Sequence, residues 1–267
     1  MNFLEALQTY SPNGRKINSL TSTFKEFDDI FGGLPQYGVV SVIGETCSKL
    51  ESLTLSMISN YVNNHHISNI LYLNFRGELH EQTIINNLFS IIFDFPYNHL
   101  CNCENWQKND YEKYDAIKAS KILKHEECFK NLFIESLSAT NEDCFHKTIY
   151  KYYRECGIRM VFVDDFANMV KCSNGLNDKN ALIILNEICS IFHIPVILNV
   201  PSDRVFDTKS ILYHSNLVID IAPINYNTDD KNDVVDIHVL KNDFGVENGT
   251  VNLFYNKTTR GIYSHKH

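Results

Sequence analysis

The strongest constraint in this sequence is a series of short, unbroken apolar runs, each followed by a stretch with helical spacing. VVSVIG at 39–44, NILYLNF at 69–75, IRMVFVDDFANMV at 158–170, whose four apolar residues end in two carboxylates, and IPVILNV at 194–200 read as strands without alternation of polar and apolar residues. Runs of that kind suit strands buried on both faces, which requires a parallel sheet with helices on each side. Helical patterns follow the first run through about Tyr61, then occupy 80–93, 142–156 with Asn141 as N-cap, and 178–192. Strand and helix taking turns in this way predict an α/β fold with helical crossovers.

The two ends read differently. Residues 1–17 form an arm, in which NFLEALQTY has the pattern of a short amphipathic helix ended by SPNGRK. Phe24, Phe27 and Ile30 then recur at helical spacing, with Gly32 and Gly33 placed to close the helix. Toward the C-terminus, LVIDIAP at 217–223, DVVDIHVLKND at 233–243 and GTVNLFYNKTTRGIYS at 249–264 read as strands, the last two as an antiparallel hairpin turning through Phe244 to Asn248. The polar segment 97–130 reads as a peripheral insertion, helical in its second half, and NLFIES at 131–136 as a short strand. With no internal repeat and no Gly, Pro or Ser linker, 18–267 is expected to be one domain.

Composition narrows the function classes. A chain of 267 residues that is 44% hydrophobic can bury a large core, and a formal charge of −8 disfavours a surface that is basic throughout. Nucleic acid would then meet a local patch or a ring of subunits. Eight cysteines without regular spacing, no secretory leader pattern and no apolar run long enough to span a bilayer imply a cytoplasmic chain without membrane contact. His99, Cys101, Cys103 and Cys128 are weak zinc candidates, because one C-x-C pair lacks a second spaced pair.

The chemistry concentrates after the first run, at Gly44-Glu45-Thr46-Cys47-Ser48-Lys49-Leu50-Glu51. A phosphate-binding loop is written G-x-x-x-x-G-K-[ST], because backbone N–H groups surround the phosphates, the lysine supplies charge and the hydroxyl ligates magnesium. This loop is one residue short, with Ser48 in place of the second glycine and Leu50 in place of the hydroxyl. Glu51, in the first turn of the next helix, suits the helix dipole and would repel a phosphate. Asp164, at the end of an apolar run, has the position of a carboxylate that holds a magnesium-bound water beside phosphates.

In their order these landmarks resemble the C-terminal RecA-type motor domain of DnaB-type replicative helicases, from about residue 18 to 264. TSTFKEFDDIFGGLPQYGVVSVIG is similar to that family's entry into its phosphate loop, ILYLNFRGELHEQTIINNL to its next strand and helix, and MVFVDDFANMV to its V-I-D-Y-L-Q-L-M. FHIPVILNVPSDR and VVDIHVLKNDFGVENGTVNLFYNKTTRGIYS resemble its last two motifs. The resemblance implies a RecA-like P-loop core, with a mostly parallel sheet flanked by helices and a C-terminal antiparallel hairpin. It also implies ATP and magnesium as ligands, through Gly44, Ser48, Lys49, Asp164 and Lys241, if the altered loop still works.

Against that family, the catalytic glutamate falls at Gly77, with Glu78 beside it as the remaining candidate; the sensing glutamine falls at Pro201, and the arginine finger at Asp243. A finger contributes about three to five decades in rate where it operates. The resemblance with these losses implies an ATPase-deficient replication or recombination accessory protein lacking the family's N-terminal primase-interacting domain. It would dock on an active helicase or on itself as a ring. A divergent but active ATP-dependent DNA helicase motor and a degenerate RecA-group recombinase paralogue acting as scaffold are the alternatives. Single-stranded DNA would meet Lys171 and Lys179 after one strand and Arg204 and Lys209 after another, where the family places its DNA loops.

Overall fold

A computed structural model describes residues 19–45, 49–64, 69–102, 104, 106–137, 142–173, 175–204, 207–222 and 232–264. The expected N-terminal helix, the cap at Asn141 and the loop residues Thr46, Cys47 and Ser48 lie outside them.

Among the described residues, nine strands form one sheet: β1 (Gly38–Gly44), β2 (Ile70–Asn74), β3 (Leu132–Ser136), β4 (Met160–Asp164), β5 (Pro195–Pro201), β6 (Leu217–Ile221), β7 (Asn232–Asn242), β8 (Gly249–Asn256) and β9 (Ile262–Tyr263). Their order across the sheet is β3-β2-β4-β5-β1-β6-β7-β8-β9. Pairing is parallel from β3 through β6, and antiparallel from β6 onward. The run expected as one strand over 249–264 is two, because Lys257 to Thr259 turn the chain and β9 pairs back on β8.

The helices are α1 (Lys25–Phe31), α2 (Leu50–Asn64), α3 (Glu78–Phe93), α4 (Tyr97–Cys101), α5 (Lys108–Phe129), α6 (Glu142–Cys156), α7 (Phe166–Cys172), α8 (Asp178–Phe192) and α9 (Thr208–His214). They build one apolar layer on each face of the sheet. On one face Val40 and Val42 of β1 join Leu53, Met57 and Ile58 of α2 and Leu88 of α3. On the other, Val39 and Ile43 of the same strand join Phe145, Phe166, Leu182 and Leu185. Every residue of β1, β2, β4 and β5 is buried, which is why these segments show no alternation in sequence.

At α1 the sequence expectation needs one amendment: Phe24, Phe27 and Phe31 are buried and Ile30 is exposed. Gly32 takes the left-handed conformation as C-cap, as expected. The chain then bridges Leu34 to Leu20 so closely that a Cβ on Gly33, whose φ is +86°, would lie 2.3 Å from the Leu20 carbonyl oxygen. Segment 97–130 is mostly helical. It packs through Trp106, Tyr114 and Ile117 on the α2 and α3 side, with Tyr114 stacked on Phe89 at 4.8 Å.

Candidate functional site

Because β1, β2, β4 and β5 run parallel, their C-terminal ends meet at one edge, where Gly44 is in register with Pro201 and Asn74 with Asp164. Ligand crevices of open α/β sheets form at such edges. The loop after β2 is built for close turning. Asn74, fully buried, accepts from the Arg76 backbone N–H at 2.9 Å and donates to the Gly77 carbonyl at 2.8 Å. Gly77, with φ 91°, then serves as N-cap of α3. This loop places Arg76 just before α3 and His80 within its first turn.

Both cations converge on carboxylates from two other elements. The Arg76 guanidinium reaches Glu51 Oε2 of α2 at 3.2 Å and Asp164 Oδ1 of β4 at 3.1 Å, and its Nε lies 3.4 Å from Asp165 Oδ2. His80 Nε2 stands 3.4 Å from Glu51 Oε2 and 3.2 Å from Asp164 Oδ2. Asn87 of α3 donates to Glu51 Oε1 at 3.1 Å, and Asn199 of β5 donates to Thr54 Oγ1 of α2 at 3.1 Å. Asp165, in the left-handed region, caps α7 through the Asn168 N–H and takes Arg204 at 2.9 Å. Five elements thus meet in one ion cluster whose centre, Asp164, has no solvent exposure.

The charges move each other. Burial alone would push the Glu51 carboxyl up, but His80, Arg76 and Asn87 outweigh it and hold the group below the usual range. For Asp164 burial wins: its carboxyl is raised, with Glu51 adding repulsion, although His80 and Arg76 favour its charge. Burial lowers His80, yet the facing Asp164 and Glu51 more than compensate and push it up to about 9. The Tyr72 hydroxyl is buried beside this group, raised first by desolvation and then by Asp164.

The positions singled out in the sequence separate into three places. Gly44 ends β1, and Lys49, at the start of α2, lies with its ammonium 3.9 Å over the Tyr255 ring of β8. Glu78 does not continue the strand, as it would have to in order to alternate sides with Gly77. It opens α3, exposed, along a groove with Glu81, Glu135 and Ser136, and the carboxylates that gather at Asp164 are Glu51 and Asp165. Lys241 donates to the Ser215 carbonyl at 2.7 Å behind α9 and pairs with Asp243 at 3.4 Å. Lys171 and Arg204 line one groove of about 720 Å³, but Arg204 is turned onto Asp165 rather than outward alone. Lys179 and Lys209 are exposed outside that lining. Among the described residues only Glu51, His80 and Asp164 cluster as metal donors, so His99 and Cys101 join no such group; Cys103 and the Cys128 side chain lie outside the description.

Arg76, His80 and Asp165 carry the centre of the site and were not among the sequence candidates. The signal was available in part: NFRGELH puts an arginine directly after a buried strand and a histidine four residues on, where the first turn of a helix returns it to the same edge.

No protein-family model and no curated protein matches the sequence. Solved structures do match. The ATPase domain of a DnaB-like helicase aligns with TM-score 0.71 at 13% identity, over 98% of this chain and 96% of that one. A DnaB-like replicative helicase, described with its interactions with primase, aligns with TM-score 0.71 at 14% identity over 97% of this chain, which spans 65% of that protein. A KaiC-like protein of the hyperthermophilic archaeon Pyrococcus horikoshii aligns with TM-score 0.61 at 14% identity, over 94% of this chain and all (100%) of the other. No helix among the described residues is long and apolar enough to cross a membrane. Sheet order, helix placement and these likenesses agree that the chain has the RecA-like fold of DnaB-type helicase ATPase domains.

Proposed function

We propose that this protein is a DnaB helicase-like domain that does not hydrolyse ATP and serves DNA replication or recombination as an accessory protein. The observation that carries the reading is Arg76, bonded to Glu51 at 3.2 Å and Asp164 at 3.1 Å at the C-terminal edge of the sheet. A magnesium triphosphate would need Asp164 turned to the metal, a neutral hydroxyl near the start of α2, and a lysine facing the phosphates. Here Asp164 gives one oxygen, Oδ1, to an arginine, a carboxylate stands at Glu51 where the phosphates would lie, and Lys49 sits over Tyr255. The residues do not suit that ligand, and no catalytic step is assigned to it. Gly77, at the position of the family's catalytic glutamate, has φ 91°, a conformation strained for any side chain.

The RecA-like surface remains for docking, on a second copy of the chain or on an active helicase, and the groove of Lys171 and Arg204 is the candidate surface for single-stranded DNA. Calorimetric titration with ATP and magnesium tests the reading. No heat of binding is expected at millimolar nucleotide; micromolar affinity accompanied by phosphate release would establish the active-motor alternative instead.

A further inference from the structure

The ion cluster has one oddity that pairing between side chains does not explain. Asp164 is wholly buried, yet its Oδ2 makes no hydrogen bond, and neither does His80 Nε2, 3.2 Å away. Both atoms are aimed at the same space, with Glu51 Oε2 also 3.4 Å from the imidazole nitrogen. The two atoms face each other as an ion pair without an aligned hydrogen bond, and an unmade bond at a buried carboxylate is costly, so an ion shared between them would satisfy both.

We infer that Glu51, His80 and Asp164 form a binding site for a divalent transition-metal ion that requires no nucleotide. The three donor atoms lie within 4.8 Å of one another. Two ligands held at about 2.1 Å from a tetrahedral ion stand roughly 3.4 Å apart, with bond lengths as zinc prefers for imidazole and carboxylate. The distances from His80 Nε2, at 3.4 and 3.2 Å, are those of two ligands on one ion, whereas an aligned charge-assisted hydrogen bond would be shorter.

The donor set selects the class of metal. An imidazole with two carboxylates suits zinc, cobalt or manganese, while magnesium prefers oxygen alone and keeps its waters. The outer partners are already in place: Arg76 holds Asp164 by the other oxygen, Oδ1, and bridges to Glu51 Oε2 at 3.2 Å, while Asn87 holds Glu51 by Oε1. Such contacts fix ligand orientation in metalloproteins. His80 and Glu51 retain 16% and 18% side-chain exposure, which gives the ion an entry path and a fourth position for solvent. Metal binding displaces the His80 proton, after which Glu51, Asp164 and Asp165 exceed Arg76 and Arg204 by one negative charge, and the ion takes the place of the proton's charge.

The inference goes beyond the proposed function and is separable from it. The full chain, reduced and freed of metal with a chelator, is titrated with cobalt(II) in the absence of nucleotide and followed by visible absorption. One equivalent is expected, with the ligand-field bands of a nitrogen and oxygen site and no thiolate charge-transfer band. His80→Gln is expected to weaken that binding at least about tenfold, with unchanged circular dichroism. If that variant fails to fold, Glu51→Gln carries the same expectation. Wild-type protein that binds no cobalt, or binds it only through thiolates, or as tightly after His80→Gln, overturns the inference and leaves the nucleotide-free reading standing. Metal uptake that appears only with ATP overturns both.

Discussion

Arg76 ties together carboxylates from three sequence positions, and its loss would strand the most buried of them. Arg76→Ala leaves Asp164 facing Glu51 with His80 as the remaining cation, and removal of one member of a buried ion pair costs about 3–5 kcal/mol. Urea denaturation near neutral pH is expected to show a loss of about 3 kcal/mol; a change under 1 kcal/mol would mean that the charges are solvated and the cluster is not a structural unit. His80 gives a pH signature. Its folded pKa, about 9, lies above the usual 6.5 because burial, which lowers it, is outweighed by Asp164 and Glu51. A raised pKa stabilises fully below the unfolded value and loses that contribution as pH rises through the folded one. In chelator-treated protein, stability should fall between about pH 6.5 and 9, and His80→Gln should flatten the slope. An unchanged slope in that variant would place the titration elsewhere.

At the scale of elements, the helices and strands that bury a whole face were legible in the sequence. The end of β2 was not, nor was α7, which the Asp165 side chain caps where the sequence reads as strand as far as 170. β1, β4 and β5 are continuous apolar runs, and nothing in their surroundings competes with that signal. The end of β2 is different: Asn74 folds back on Arg76 and Gly77, and the strand stops there, one residue before the end of the expected run. The same bond moves Glu78 off the strand and creates the position of His80. Ile30 misled for a simpler reason, since Phe31, one residue on, took its place in the core. At the bridge from α1 into β1, Gly33→Ala drives a Cβ into the Leu20 carbonyl at a positive φ. It should cost at least about 2 kcal/mol by chemical denaturation, and an unaltered midpoint would show that the bridge is dispensable.

For the molecule as a whole, fold and site were unequally readable. The parallel sheet with helical crossovers follows from the alternation of strand and helix, a pattern spread over most of the chain; the strand order does not. The ion cluster rests on residues from five elements whose meeting depends on that order, and no local spacing announces it. The departures from the resembled motifs at Gly77, Pro201 and Asp243 are legible one at a time; the contacts of Arg76 and His80 are legible only in the fold. If nucleotide has no place at this edge, the state of assembly should be indifferent to it. Sedimentation velocity is expected to give the same distribution with and without ATP and magnesium, and nucleotide-driven growth into larger rings would contradict that expectation.

Lys49 over Tyr255 has a consequence in time. The start of α2 is held by a ring from β8, and the Ile262 N–H beside it donates to Ser56 Oγ at 2.8 Å, so the last strands brace a helix made near the beginning of the chain. During synthesis those strands leave the ribosome long after the helix they hold. Until β8 and β9 have formed, α2 lacks both the Tyr255 ring over Lys49 and the Ile262 N–H on Ser56 Oγ.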